Sequence, residues 1–206
     1  MKIVIHSVNN TANQEILSKY NEKLLICGNV HLSDNFASAD NTHKLILENT
    51  AVCEIFDFIE WNIGQRPDSR DEQGGILLGK RYYDEEQDIH FVIVSKVITA
   101  IGALESSGYL DITHECWCDM HQRKDAYNEE TGEELVIVGW FHTHPNMLSC
   151  FMSGTDRNTQ NLFFNSENTY SIVINPQRHL LKAFRAKECH PTQAFLIVND
   201  VTTEDN

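Results

Sequence analysis

The sequence has no long apolar run and no cluster of basic residues. No hydrophobic stretch approaches the roughly 20 residues of a transmembrane helix, and the apolar part of the start, MKIVIHSVNN, is too short for the core of a signal peptide. We therefore expect a cytoplasmic protein that does not contact membranes. Its 16 Lys and Arg against 30 Asp and Glu give a formal charge of −14. This charge disfavours nucleic acid as a partner and suits a basic protein or peptide.

Paired cysteines and phosphate-binding loops are also missing. The six cysteines show no disulfide framework, so we interpret them as free thiols: Cys27, Cys53, Cys116, Cys118, Cys150 and Cys189. The glycine-containing stretch GGILLGK lacks the spacing of a P-loop. A length of 206 residues with 41% hydrophobic and 22% charged residues fits one ordinary globular domain.

The order of periodic segments predicts an α/β fold, a mixed curved β-sheet with flanking helices. We expect an N-terminal extension over 1–42, one domain over 43–199 and a flexible tail over 200–206. Within the domain, alternation and helical spacing first predict a strand at KLILEN, a helix at TAVCEIFDFIEWNI and a hairpin of GGILLGKRYY and IHFVIVSKVI. A loop over 102–112 and a helix over 113–127 follow, and then a central strand at ELVIVGWFHTH. The last predicted elements are a helix from SGTDRNTQNLFFN, a strand pair at YSIVINP and LLKAFRAK, and a further strand at FLIVN.

The stretch HTHPNMLSCFMSGTD, residues 142–156, contains the strongest chemical signal. On a strand His142 and His144 point to one face while Thr143 points to the other. They lie at the end of the predicted central strand, where α/β sheets place ligand sites. A catalytic zinc takes three protein ligands and leaves one position for water. The two imidazoles and one carboxylate would provide that set.

Two interpretations apply to Ser153 and Asp156. The spacing S-x-x-D is how a helix begins, with the serine as N-cap and the acid facing the exposed amides. A carboxylate in the first helical turn can also reach a neighbouring strand end, which makes Asp156 the candidate third ligand. Upstream, Glu72 precedes the glycine pair of DEQGGILLG, a position from which it could serve as a general base.

Taken together, these segments resemble the JAMM motif of MPN-type zinc metalloproteases. That motif has a glutamate before a Gly-Ile/Leu-Leu-x-Gly strand, then His-Ser/Thr-His-Pro, then Ser-x-x-Asp. The resemblance covers most of residues 43–187, and GWFHTHPNMLSCFMSGTDRNTQ is similar to catalytic subunits of the proteasome lid and the COP9 signalosome. One departure is the segment Pro145–Met152, which has eight residues where the family usually has seven. An irregular loop absorbs such an insertion more easily than a strand does.

The resemblance implies an MPN domain and a role for each matched residue. His142, His144 and Asp156 would bind one Zn²⁺, and Glu72 would activate the attacking water. Ser153 would donate a hydrogen bond to the developing oxyanion. The implied substrate is the C-terminal tail of ubiquitin or a ubiquitin-like protein, or a conjugate of it, with cognate conjugation enzymes as further partners. Some bacterial members of the family are encoded beside such conjugation genes.

Other segments carry competing hypotheses. His114, Cys118 and His121 share a helix face and could hold a second metal, although an amphipathic helix explains them as well. A nucleophilic Cys150 would need a free histidine base, and His144 is already assigned to the metal. By resemblance, the loop 102–112 is where relatives fold an insertion over the substrate tail.

We therefore expect a zinc-dependent isopeptidase that cleaves after the terminal glycine of a ubiquitin-like protein. Two alternatives remain open at this level. One is a JAMM peptidase for another carrier protein or peptide, such as a sulfur-carrier precursor. The other is a non-catalytic MPN scaffold, although such subunits usually lose one or more of the five matched residues.

Overall fold

The computed structural model describes residues 31–32, 42–61, 71–106 and 109–196. The predicted extension 1–42 and tail 200–206 therefore lie almost entirely outside the described residues, and the domain boundaries stay predictions. In the described part of the chain, no helix is long and apolar enough for a bilayer crossing.

The described residues form ten strands and three helices. The strands are β1 (His31–Leu32), β2 (His43–Leu47), β3 (Gly74–Asp84), β4 (Ile89–Thr99), β5 (Leu104–Ser106), β6 (Tyr109–Asp111), β7 (Val136–Thr143), β8 (Tyr170–Asn175), β9 (Leu180–Arg185) and β10 (His190–Leu196). The helices are α1 (Asn49–Phe58), α2 (His114–Thr131) and α3 (Gly154–Phe163). The predicted strands and helices of the domain are all present, with shifted ends.

The α/β class is confirmed, but the sheet closes on itself instead of ending in two free edges. Its strand order is β1-β9-β10-β2-β4-β3-β7-β8, and β8 also pairs with β9. The ring closes because β9 uses one edge for β8 and the other for β10, which runs parallel to β2. The prediction of a merely curved sheet was therefore incomplete, because local periodicity does not show which distant strands pair.

Residues 102–112 were predicted to form a loop, and this prediction was wrong. Strands β5 and β6 pair antiparallel in a separate two-stranded sheet. Each strand has three residues, which is too few for alternation to be visible in a sequence. Helix α2 also continues past the predicted end at residue 127, as far as Thr131. It ends where Gly132 adopts a left-handed φ of 69°, as expected of a glycine that terminates a helix.

The two faces of the sheet pack against different helices. One face and α1 share a large cluster that includes Leu77, Phe141 and Ile172, and the opposite face packs with α2 and α3 around Trp140 and Phe164. Strand β7 lies between β3 and β8, and all its residues from position 138 onward are buried. Alternation along β7 therefore directs the side chain at 142 to the face covered by α3.

Close backbone contact between β7 and β8 depends on a glycine. A Cβ at Gly139 would lie 1.9 Å from the carbonyl oxygen of Tyr170, which no side chain permits. The parallel pairing then continues in register to Thr143, opposite Ile174. This register determines where β7 ends and where the two histidines lie.

Candidate metal and catalytic site

The two histidines of β7 meet at the end of the strand. His142 is fully buried and His144 is 2% exposed, and their Nε2 atoms lie 3.2 Å apart. Trp140 stacks on the His142 ring with centroids 4.4 Å apart. The predicted common face of the two imidazoles is therefore present, and both rings are held by packing before any ligand binds.

Ser153 and Asp156 form the predicted capping box at the start of α3. The Ser153 hydroxyl accepts from the backbone N–H of Asp156 at 3.2 Å, and Asp156 Oδ2 accepts from the backbone N–H of Ser153 at 2.6 Å. The same carboxylate faces both imidazoles, with Oδ1 3.2 Å from His142 Nε2 and Oδ2 3.4 Å from His144 Nε2. The Asp156 carboxylate therefore caps the helix and faces the histidines at the same time, so the two interpretations of this segment do not exclude each other.

The donor set fits a tetrahedral zinc. Ligand atoms about 2.0–2.1 Å from such an ion lie roughly 3.3 Å from one another. The two Nε2 atoms are 3.2 Å apart; Oδ1 of Asp156 lies 3.2 Å from His142 Nε2, and the other carboxylate oxygen, Oδ2, lies 3.4 Å from His144 Nε2. Within the described ranges, one group of three His, Cys, Asp or Glu residues has ligand atoms that all lie within 4.8 Å of one another: His142, His144 and Asp156. The His144 Nδ1 lies 2.9 Å from the Ser149 carbonyl oxygen. In a neutral His144 that donates its Nδ1 proton there, Nε2 has a lone pair for a metal in place of its contact with Asp156.

Electrostatics in the site favour charge on the aspartate. Burial alone would raise the pKa of Asp156, but hydrogen bonds from His142 and His144 hold that pKa well below its usual range. Burial lowers the pKa of His142 and so favours the neutral imidazole, the form that binds metals. For His144, burial acts in the same direction, but hydrogen bonds to Asp156 and the Ser149 carbonyl outweigh it and raise the pKa.

Glu72 lies beside this group, two positions before the first residue of β3. The side chain is 3% exposed. Burial raises the pKa of Glu72 to about 7, and the Asp156 charge acts in the same direction, whereas His144 opposes the shift. A carboxyl group that titrates near neutral pH can accept and return a proton at little cost. The structure thus brings all five predicted site residues to one end of β7.

The segment between the ligands, Pro145–Met152, is tied down in spite of its extra residue. The Asn175 side-chain amide donates to the carbonyl oxygens of Asn146 and Leu148 at 3.1 and 2.7 Å. Asn146 adopts a φ of 61°, a left-handed conformation that asparagine tolerates better than most residues. Asn175 anchors the loop from outside the motif, and the motif spacing gave no signal for it.

The competing candidates do not form comparable sites. The His114 Nε2 lies 3.6 Å from the Cys118 Sγ, but these two do not join His121 in a three-ligand group among the residues described. Burial raises the pKa of the Cys150 thiol to about 11, and its Sγ contacts the Leu180 carbonyl at 3.5 Å. A buried thiol of such high pKa is a poor nucleophile.

The hydrogen bonds of Gln160 beside the site were not predicted from the sequence. Gln160 is buried and accepts from the Trp140 indole at 2.7 Å, while its own amide donates to the carbonyls of Phe164 and Ala186. This network fixes α3 against the strand that carries His142. Side chains meet here across 20 positions, so no local spacing could have indicated the contact.

Comparison with known proteins gives a match to one family model over more than half of the chain. Residues 40–168 match the family model described as JAB1/Mov34/MPN/PAD-1 ubiquitin protease. Similar proteins include COP9 signalosome complex subunit 5 of Eremothecium gossypii, 47% identical over 22% of this chain and 11% of that protein. The human AMSH-like protease is 33% identical over 43% of this chain and 16% of its own length. Ubiquitin carboxyl-terminal hydrolase RPN11 of Saccharomyces cerevisiae is 38% identical over 23% and 16%, respectively.

The matched segments thus cover only 11–16% of the length of these relatives. The family model, in contrast, covers more than half of the chain and includes Glu72, both histidines, Ser153 and Asp156. The chain belongs to the JAB1/Mov34/MPN/PAD-1 family.

Proposed function

We propose that this protein is a zinc-dependent isopeptidase that cleaves after the C-terminal glycine of ubiquitin or a ubiquitin-like protein. The observation that carries the proposal is the buried His142–His144–Asp156 group with Glu72 beside it. A scaffold that only binds partners has no need of three preorganised ligands, and still less of a buried carboxyl group whose pKa is raised to about 7.

The matched residues have different tasks in the proposed reaction. When bound by the three ligands, zinc supplies Lewis-acid polarisation of the scissile carbonyl and lowers the pKa of water. Glu72 takes the proton from the attacking water and passes it to the departing amine of the lysine or peptide. The proton count balances, because both protons of the water reach the nitrogen: the first passes through Glu72 and allows the amine to leave, and the second is lost by the new carboxylic acid, which gives a carboxylate on the modifier and an ammonium group.

Ser153 can cap its helix and assist the reaction at the same time. A hydroxyl group has one donor hydrogen and two acceptor positions. The capping bond from the Asp156 amide uses one acceptor position only. The donor hydrogen therefore stays available for the oxyanion that forms on the scissile carbonyl.

The β5–β6 hairpin supports an extended peptide as the substrate. Gly74 is paired with His142, and a Cβ at Gly74 would lie 2.5 Å from a methyl carbon of Leu110. The hairpin therefore adjoins the metal site at a place where a side chain is missing. The edge of a strand can bind an extended peptide, which then adds a strand to the sheet, and the flexible tail of a ubiquitin-like protein is such a peptide.

The names of the relatives point to the same substrate class. The family description and the yeast relative's name both specify ubiquitin, and we transfer that class to this chain as part of the proposal. A net charge of −14 would also attract a tail that contains arginines, chiefly as a salt-sensitive gain in encounter rate.

The decisive test compares zinc-loaded protein with its Glu72→Gln variant on three substrates: a ubiquitin-like protein fused to a reporter, the same modifier on a lysine, and an unstructured glycine-ended peptide. We expect cleavage after the glycine, faster on the folded modifiers than on the peptide. Glutamine keeps the size of Glu72 but cannot take a proton, so turnover should fall by about 10²–10⁴-fold while zinc and substrate still bind. Equal rates on all three would favour a peptidase of broader specificity, and binding without cleavage would favour a scaffold.

A further inference from the structure

Thr143 lies between the two histidines and faces away from them. It is 1% exposed, and it contacts the segment before β3 at two points. The backbone N–H of Gln73 donates to the Thr143 hydroxyl oxygen at 2.8 Å. In the opposite direction, the backbone N–H of Thr143 donates to the Gln73 carbonyl at 2.7 Å.

These two hydrogen bonds lie where the regular ladder stops. The last registered pair between β3 and β7 is Gly74 with His142, and residues 71–73 have no regular secondary structure. At Gln73 a side-chain oxygen acts as acceptor in place of a backbone carbonyl. The chain is thereby held to β7 one residue beyond the sheet, and the next residue is Glu72.

We propose that Thr143 is the positioning residue for Glu72: its hydroxyl group holds the backbone of Gln73, the residue next to Glu72. The strand that presents the metal ligands on one face uses its opposite face to fix the general base. Glu72 and the two histidines are thus held by the same strand, although Gln73 and Thr143 are 70 positions apart in the chain. This inference rests on the proposed role of Glu72 as base.

The same geometry predicts which substitutions matter. Thr143→Val keeps the branched shape but removes the acceptor and leaves the Gln73 N–H without its partner. Thr143→Ser keeps the acceptor and removes one methyl group. A displacement of a catalytic group by about 1 Å can cost on the order of 100-fold in rate, so the hydroxyl should matter far more than the methyl group.

The experiment measures kcat, KM and zinc content of the zinc-loaded variants on the reporter fusion. For Thr143→Val we expect kcat to fall by about 10- to 100-fold, with KM within about threefold and zinc content unchanged. Thr143→Ser should stay within about threefold of wild type in kcat. Thr192→Val is the matched control: Thr192 is also 1% exposed and its hydroxyl donates to the His43 carbonyl, away from the site, so this variant should lose stability and keep kcat.

A double mutant separates positioning from general damage. If Thr143 acts through Glu72, adding Thr143→Val to Glu72→Gln should change kcat by less than about threefold, because the base is already gone. The same 10- to 100-fold loss in both backgrounds would overturn the inference. Loss of zinc in Thr143→Val would overturn it as well, since the effect would then act through the ligands.

Hydrogen exchange at the Gln73 amide gives a readout that does not depend on activity. Exchange should be slow in wild type and Thr143→Ser, and at least about tenfold faster in Thr143→Val. Equal exchange in all three would contradict the contact itself. A wild-type protein without activity would contradict the proposed function, whereas a fully active Thr143→Val protein would contradict only the role of Thr143.

Discussion

Asp156 and Ser153 hold each other at the start of α3, with the Asp156 Oδ2 2.6 Å from the Ser153 backbone nitrogen. The carboxylate is thereby oriented toward the two imidazoles, and if these groups bind zinc as proposed, this order reduces the entropy lost when the ligands are fixed. The capping box is thus a structural feature and a means of preorganising a ligand. It also allows helix capping and metal binding to be tested separately.

Substitution of the two residues should give opposite results. Asp156→Asn keeps an oxygen for the Ser153 amide but loses the charge, so zinc affinity should fall by at least about 100-fold with the helix retained. Ser153→Ala should keep zinc and lower the free energy of unfolding by about 1 kcal/mol. Metal analysis and chemical denaturation measure the two quantities. Similar zinc losses in both variants would contradict the separation.

Removal of both imidazoles tests the location of the metal. We expect His142→Ala/His144→Ala to lose bound zinc, because only one ligand of three remains. The matched control is His114→Ala/His121→Ala on α2, which should keep about one zinc per chain. The opposite pattern, with zinc lost only in the control, would move the metal site to α2.

Features determined by neighbours in the chain could be predicted from the sequence. Alternation along GWFHTH placed His142 and His144 on one face, and the spacing S-x-x-D placed Asp156 in the first turn of a helix. Both follow from the repeat of a single element. The proximity of His142, His144 and Asp156, the proposed donor set, could therefore be expected before the fold was known.

Features that depend on distant contacts could not be predicted. The Thr192 hydroxyl donates to the His43 carbonyl across 149 positions where β10 and β2 close the sheet. Gln160 reaches Trp140 from a different element, and the β5–β6 hairpin is too short to show alternation. Pairing of this kind depends on the whole packed structure, and one sequence carries no local record of it.

The buried Glu72 should make the stability of the metal-free protein depend on pH. Its folded-state pKa is raised from 4.5 to about 7. The folded state therefore favours the protonated carboxyl, and this contribution is complete below pH 4.5 and is lost as pH rises through 7. Because Glu72→Gln does not titrate, the variant should be more stable than wild type at pH 8 by roughly 1 kcal/mol, with a smaller gain at pH 5.

Chemical denaturation of chelated protein at the two pH values measures this difference. Zinc-loaded protein is the control, because a nearby cation compensates for the buried charge and should reduce the gain at pH 8. The same gain at both pH values would show that Glu72 does not titrate in this range.

The last prediction concerns how the tail is held. If the substrate tail pairs with the β5–β6 hairpin as an added strand, replacing residues 104–111 with a glycine–serine segment of equal length should remove that pairing. The backbone hydrogen bonds lost are each worth about 1 kcal/mol, so kcat/KM on the reporter fusion should fall by about 10- to 100-fold with zinc content unchanged.

A bulky residue in place of the terminal glycine of the modifier should cause a comparable loss, because its side chain would keep the backbone away from His142 and Asp156. The two changes should not add fully, since both disturb the same extended tail. A hairpin variant that cleaves the fusion at the wild-type rate would show that the tail binds elsewhere.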